Sequence, residues 1–356
     1  LLDDVPDIKL TFNLVPSLLE QIEEYAEGKA KDYYLELTLK KPVALSIEDK
    51  VFLLRNFFSA NRENMIRPYP RYAELLNKRG EVIEDDPLRE IQLYFTDQEF
   101  LDLQVWFNLS WFDAALKEGD GLLRQLIQRD RLYSEEDKIN LINKQLSIMS
   151  LIINKYRDMS HRGQIELITS PFYHPILPLL CDSFAAKEAI PEIVLPEMRF
   201  SALEDATEQV DRSIMYFNRL FGFPPKGMWP AEGSVSPEAV SVMHKQGIEW
   251  LATDEQILSE SLNKKFIRDR NGILESPETL YQVYRYNPDG PGGQGEKGVD
   301  IIFRDQFLSD LIGFVYPGWD AQEAADDFVL HLVQAQKSLR QRNCSGIASV
   351  ILDGEN

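Results

Sequence analysis

Residues 227–254 read GMWPAEGSVSPEAVSVMHKQGIEWLATD. A short apolar strand, 227–230, runs into a loop. Ser236 and Pro237 then supply an N-cap and a first helical residue: the serine hydroxyl accepts a free amide of the first turn, and proline has no amide to leave unpaired. The helix expected over 237–246 is closed by Gly247, which stands where a helix C-cap glycine belongs. WLATD, 250–254, is a second strand. Strand, helix and strand in this order form the repeating unit of a parallel sheet.

The same rhythm extends outward. Strands are expected at 8–15 (IKLTFNLV), 164–170 (QIELITS), 300–305 (DIIFRD) and 348–353 (ASVILD). Helical patterns over 203–220 and 321–342 separate several of them. The fold class is therefore α/β with a parallel sheet. The pattern alone leaves open a closed barrel or a doubly wound open sheet. Both place ligands at the C-terminal ends of the strands.

A long helical block, about 46–160, lies between the first two strands and is too large for an ordinary crossover. It reads as an inserted helical subdomain. Within it, 46–65 has Phe52, Leu53, Phe57 and Phe58 on one face. Thr96 with Glu99 has capping-box spacing and opens an aromatic helix through Trp106 and Trp111. Ser134 with Asp137 marks a third start, for a helix running to Met159. Ser17 with Glu20 has the same spacing just after Pro16. Residues 287–298, NPDGPGGQGEKG, form a glycine-rich surface loop.

The 356 residues are 44% hydrophobic, enough for a substantial core, and carry a net charge of −20. That charge repels nucleic-acid phosphates and anionic membrane surfaces but not a neutral glycan. Two cysteines exclude a disulfide scaffold and a four-thiolate zinc site. No stretch approaches the roughly 18 apolar residues of a membrane span. The first residues lack the basic and apolar regions of a signal peptide, and the chain begins without Met. It reads as a fragment, with a cytoplasmic location expected.

Several strands end in a polar residue. Glu232 lies just past 227–230, flanked by glycine and preceded by Trp229 and Pro230. Glycosidases need two carboxyls across the scissile bond and aromatic rings to stack on sugars. The alternative is a salt bridge, or a cap for the helix near Ser236. ILDGEN, 351–356, ends a strand in Asp353 and Glu355, whose mutual repulsion can raise one pKa into a general-acid range. The alternative is an ordinary Asp-Gly turn. Asp254 and Asp305 stand at strand ends as substrate-contact candidates or as helix caps, and Arg304 could pair with Asp305. His174 follows 164–170, but the four histidines show no HxxxH or HxH spacing, so no metal site is expected.

Taken together, TFNLVPSLLEQIEEY (11–25), EDKVFLLRNFFSAN (48–61), PYPRYAEL (68–75), LDLQVWFNLSWFD (101–113), GQIELITSPFYHPILPLL (163–180), GMWPAEGSVS, FRDQFLSDLIGF (303–314) and ILDGEN resemble glycoside hydrolase family 57, in its amylopullulanase and α-amylase-like branch. The resemblance implies a (β/α)7 barrel, incomplete here, that retains anomeric configuration and uses no cofactor or metal. It gives the nucleophile role to Glu232, the acid/base role to Asp353 and a stacking role to Trp229. It makes Glu355 a sugar contact and His174 a residue lining the cleaved subsite. The expected partner is an α-glucan or maltooligosaccharide, with α-1,4 and also α-1,6 links in view. The family's His-Gln-Pro first motif and its last helical motif do not occur, so a missing first strand is expected, and low activity of this chain alone. A glucanotransferase or branching enzyme on the same scaffold is the nearest alternative. A non-catalytic glycan-binding barrel is the more distant one. The oligomeric state is not legible.

Overall fold

The computed structural model describes residues 2–30, 32–288 and 298–353. The chain divides into two compact units, 1–20 with 155–356, and 21–154.

The first unit holds a six-stranded sheet: β1 (Leu10–Leu14), β2 (Ile165–Thr169), β3 (Gly227–Met228), β4 (Trp250–Asp254), β5 (Tyr284–Tyr286) and β6 (Val299–Arg304). The spatial order is β1-β2-β3-β4-β6-β5. All pairings are parallel except β5 on β6. The parallel strands therefore follow one another in sequence order, as stepwise strand-helix-strand connections produce. Alternation sets the faces: Val299, Ile301 and Phe303 of β6 are buried, and Asp300, Ile302 and Arg304 point to the other side. The buried set joins a core with Met228, Leu251 and Val240.

Helix boundaries follow the local chemistry. Ser236 accepts from the Ala239 amide at 3.2 Å and Pro237 opens the helix Pro237–Lys245. Gly247 beyond it has φ 93°, the left-handed region that suits glycine. The helices Leu203–Phe221 and Ala321–Gln341 lie where the apolar periodicity puts them.

Three features differ from the sequence reading. Ser17 is not a cap, because the helix Pro16–Ala26 starts one residue earlier with proline at its head. β5 carries only YRY and was not anticipated, its three residues being too short for a period-two pattern. Most tellingly, 348–353 forms no ladder beyond a single parallel bridge of Ser349 to Arg304. Side chains take the next backbone groups instead: Ile351 donates its amide to Ser309 Oγ at 3.2 Å and its carbonyl accepts from Arg304 Nε at 3.0 Å. Among the described residues β1 pairs with β2 alone. Most of the glycine-rich loop expected at 287–298 lies outside the described residues.

The second unit is helical. It begins at Gln21, ahead of the 46 expected from the pattern, and includes the helix Tyr33–Leu39. Its core gathers Leu53, Phe57, Tyr72, Phe100, Trp106 and Tyr133. The helix Asp97–Ser110 starts with the Thr96–Glu99 capping box, and Ser134 and Asp137 exchange the same pair of bonds. The helix Ile47–Asn56 is shorter than expected and ends before Phe57. Lys138 is fully buried, and its ammonium donates to Lys40 O and Gln104 Oε1, both at 3.1 Å. Burial pushes its pKa below that of an ordinary lysine, while Glu135 acts against the shift.

Candidate active site

The C-terminal ends of the parallel strands carry the polar residues expected there. Glu232 sits in a 3-10 turn, Ala231–Gly233, directly after β3. Its backbone is left-handed, φ 56° and ψ 22°, a conformation that costs a non-glycine residue about 1–2 kcal/mol. The neighbouring Ala231 and Gly233 are buried, yet the Glu232 side chain is 77% exposed. A strained backbone thus holds one carboxylate outward on a buried loop. Gly233 also has positive φ, and a Cβ there would lie 3.1 Å from Cη2 of Trp229. The indole therefore lies against the glycine that follows Glu232.

The loop is tied down on both flanks. On one side Trp229 donates its amide to Thr169 O at 3.0 Å, and its carbonyl accepts from Ser170 Oγ at 2.7 Å. Ser170 in turn accepts from Asn13 Nδ2 at 2.9 Å, so β1, β2 and the loop share one network. On the other side the Thr253 hydroxyl donates to Gly233 O. Asn13 and Thr253 escaped the sequence reading, and Ser170 stood in it only as a polar residue at a strand end. Their only signal is a small polar residue at or just past the end of an apolar strand.

His174 follows β2 and is a second left-handed residue, φ 57°. Its Nε2 lies 3.8 Å from Glu232 Oε1, and its side chain is 33% exposed. Tertiary folding thus joins two residues 58 positions apart in sequence, as the numbering shows. The described residues contain no group of three or more His, Cys, Asp or Glu that could hold a metal.

Asp254 and Asp305 behave as caps. Asp254 accepts from the Gln256 amide at 2.9 Å at the head of the helix Glu255–Leu262. By register it stands beside Arg304, and Arg304 Nη1 approaches its Oδ2 at 3.4 Å. Asp305 corrects the expectation of a substrate contact. It is fully buried, receives Tyr281 Oη at 2.6 Å and the Leu308 amide at 2.9 Å, and lies 3.2 Å from Arg268 Nη2. No oxygen of it is left facing outward, because the fold uses the carboxylate to start the helix Gln306–Asp310. The Arg304–Asp305 pairing considered from sequence is also replaced: Arg304 pairs with Asp254 and Asp310, and Arg268 with Asp305. Nearby Glu255, held by Arg268, has its pKa raised by burial despite that arginine.

Asp353 is exposed, two residues past the tethered Ile351. Glu355 lies outside the described residues.

The rim of the parallel sheet thus carries an exposed carboxylate 3.8 Å from a histidine, with Trp229 packed on the neighbouring Gly233. The model of glycosyl hydrolase family 57 matches residues 4–356, and the chain belongs to that family. It is similar to alpha-amylase 1 of Dictyoglomus thermophilum, 32% identical over 101 residues, which cover 28% of this chain and 12% of that protein. It is also similar to the 4-alpha-glucanotransferase of Thermococcus litoralis, 29% identical over 110 residues, covering 31% and 13%. These matches thus span less than a sixth of those relatives. Among solved structures, the GH57 branching enzyme of Thermococcus kodakaraensis aligns at TM-score 0.43 and 14% identity over 97% of this chain and 63% of that one.

Proposed function

We propose that this chain is the catalytic part of a retaining glycoside hydrolase acting on α-glucans, of α-amylase or amylopullulanase type, built on a seven-stranded barrel. The observation that carries the reading is Glu232: an exposed carboxylate on left-handed backbone, 3.8 Å from His174. No cap or cation bridge other than His174 engages the Glu232 carboxylate among the described residues, and backbone strain of this kind clusters at active sites.

In this mechanism Asp353 protonates the glycosidic oxygen as Glu232 attacks the anomeric carbon. The glycosidic bond breaks and a glycosyl ester of Glu232 forms. Asp353 then removes a proton from the acceptor, whose oxygen displaces Glu232. Retention requires the two carboxyls to come within roughly 5–5.5 Å across the sugar. Trp229 offers a ring face for stacking, His174 lines the cleaved subsite, and Glu355 is proposed as a sugar contact. Asp254 is assigned to holding the site rather than to touching sugar.

If the acceptor is a sugar hydroxyl in place of water, the same steps give a glucanotransferase or branching enzyme. The similarity to the Thermococcus litoralis 4-alpha-glucanotransferase supports keeping that reading.

The test uses the full natural protein. Glu232→Gln should abolish turnover of maltooligosaccharides while glucan binding persists, because the amide keeps the shape but cannot attack. Asp353→Asn should be severely impaired on glucans and partly restored on aryl glycosides whose leaving group needs no proton. The first product should carry the α configuration by NMR, and reducing ends counted against transfer products separate hydrolase from transferase. Near-normal activity of Glu232→Gln would place the nucleophile elsewhere.

A further inference from the structure

We infer that Arg304 is the positioning residue for the acid/base carboxylate, an inference that rests on the role proposed for Asp353. Arg304 ends β6, and its side chain is 20% exposed. Its three guanidinium nitrogens point to three different pieces of chain. Nη1 faces Asp254 Oδ2 at 3.4 Å, Nη2 donates to Asp310 Oδ1 at 2.8 Å, and Nε donates to Ile351 O at 3.0 Å.

The third contact matters most. Backbone pairing of the last segment with β6 stops at Ser349, whose carbonyl accepts from the Asp305 amide at 2.8 Å. Past that point Ile351 is gripped from both sides by side chains. Arg304 takes its carbonyl, and Ser309 Oγ takes its amide at 3.2 Å. Ser309 is itself fixed, donating to Asp305 O at 2.7 Å. Asp353 follows two residues later, so the direction in which it leaves the sheet is set by this clamp rather than by a strand. Asp254 and Asp310 hold the guanidinium plane. The fork of Arg304 meets three acceptors at once, which a lysine ammonium on a flexible stem does not reproduce.

The consequence is selective. Loosening the clamp displaces the proton donor and leaves Glu232, which is held from β2 and β4, in place. An error of about 1 Å at a reacting group costs on the order of a hundredfold. Arg304→Lys in the full natural protein should therefore lower kcat on maltooligosaccharides by about 10–100-fold with little change in KM. In kcat/KM, which reports glycosyl transfer to Glu232, the loss should shrink to about threefold or less on an aryl glycoside with a good leaving group, because that step then needs no acid; kcat stays low, since Asp353 must still deprotonate the acceptor. Ser309→Ala, which opens the clamp from the opposite side, should show the same substrate dependence more weakly. It serves as the second variant if Arg304→Lys folds poorly. Asp353→Asn is measured beside both. If Asp353→Asn shows the leaving-group dependence but Arg304→Lys and Ser309→Ala lose activity equally on both substrates, or not at all, Arg304 is only structural and the inference is overturned. If Asp353→Asn itself shows no such dependence, the acid/base assignment fails and takes this inference with it.

Discussion

Gly227 opens β3, five residues before Glu232, and its lack of a side chain is structurally required. A Cβ built there would lie 2.3 Å from Cε2, 2.5 Å from Cζ2 and 2.7 Å from Nε1 of Trp250. The Trp250 indole lies across the bare backbone of β3 and donates to Glu166 Oε1 on β2 at 3.1 Å. Gly227→Ala must therefore push the ring away by more than 1 Å to reach an ordinary carbon contact of about 3.5 Å. Overpacking of this kind costs about 1–3 kcal/mol. The exposed Trp250–Glu166 bond adds little, and the stiffer unfolded chain returns about 0.4–1 kcal/mol. The net expectation is a loss of about 1 kcal/mol, a fall in Tm of roughly 2–4 °C for a unit of this size. The assay is thermal and urea unfolding of Gly227→Ala, Trp250→Ala and the double variant. With the indole removed the three closest contacts of the added methyl disappear, so Gly227→Ala should cost much less in the Trp250→Ala background. Additive losses in the double variant would refute the steric argument, since distant, independent sites add and clashing ones do not.

Glu232→Asn should abolish turnover yet leave Tm unchanged or slightly higher, because asparagine tolerates left-handed backbone better than glutamate. A clear drop in Tm would instead support a structural salt bridge for Glu232. The helical unit should lose stability in acid. Burial alone would raise the pKa values of Asp49, Glu99 and Asp137, but Lys40 with Ser46, Lys78 with Thr96, and Ser134 with Arg129 outweigh it and bring all three below their ordinary range. Their contribution is present above the unfolded values of about 4 and is lost as pH falls through the lower folded values. The urea midpoint should thus drop from pH 5 to pH 3, and less steeply in Ser46→Ala; a pH-independent midpoint contradicts this.

How much of this was legible in the sequence differs from element to element. The parallel sheet was, because WLATD and DIIFRD are apolar strands whose helices carry their own start and stop signals at Ser236, Pro237 and Gly247. The capping boxes at Thr96 and Ser134 were legible for the same reason: three-residue spacing is a local property. The helix opening at Pro16 was legible; only the capping-box spacing of Ser17 with Glu20 misled, because Pro16 already heads the helix. The candidacy of Glu232 was legible from Trp, Pro and Gly around it, and from the family resemblance. What sequence spacing could not supply was any relation between distant strand ends. Asp254 and Asp305 look alike in the sequence, each an aspartate closing a strand. Only the packed sheet gives Arg304 to the first and Tyr281 and Arg268 to the second, burying the second completely. The last strand, ASVILD, has the composition of a ladder. Yet its peptide groups are taken by Arg304 and Ser309 after one bridge, because a cross-strand guanidinium reaches them first. Local chemistry determined which elements form and where each carboxylate stands along the chain. Tertiary packing decided which carboxylates face solvent, which serve as struts, and that His174 and Glu232 meet.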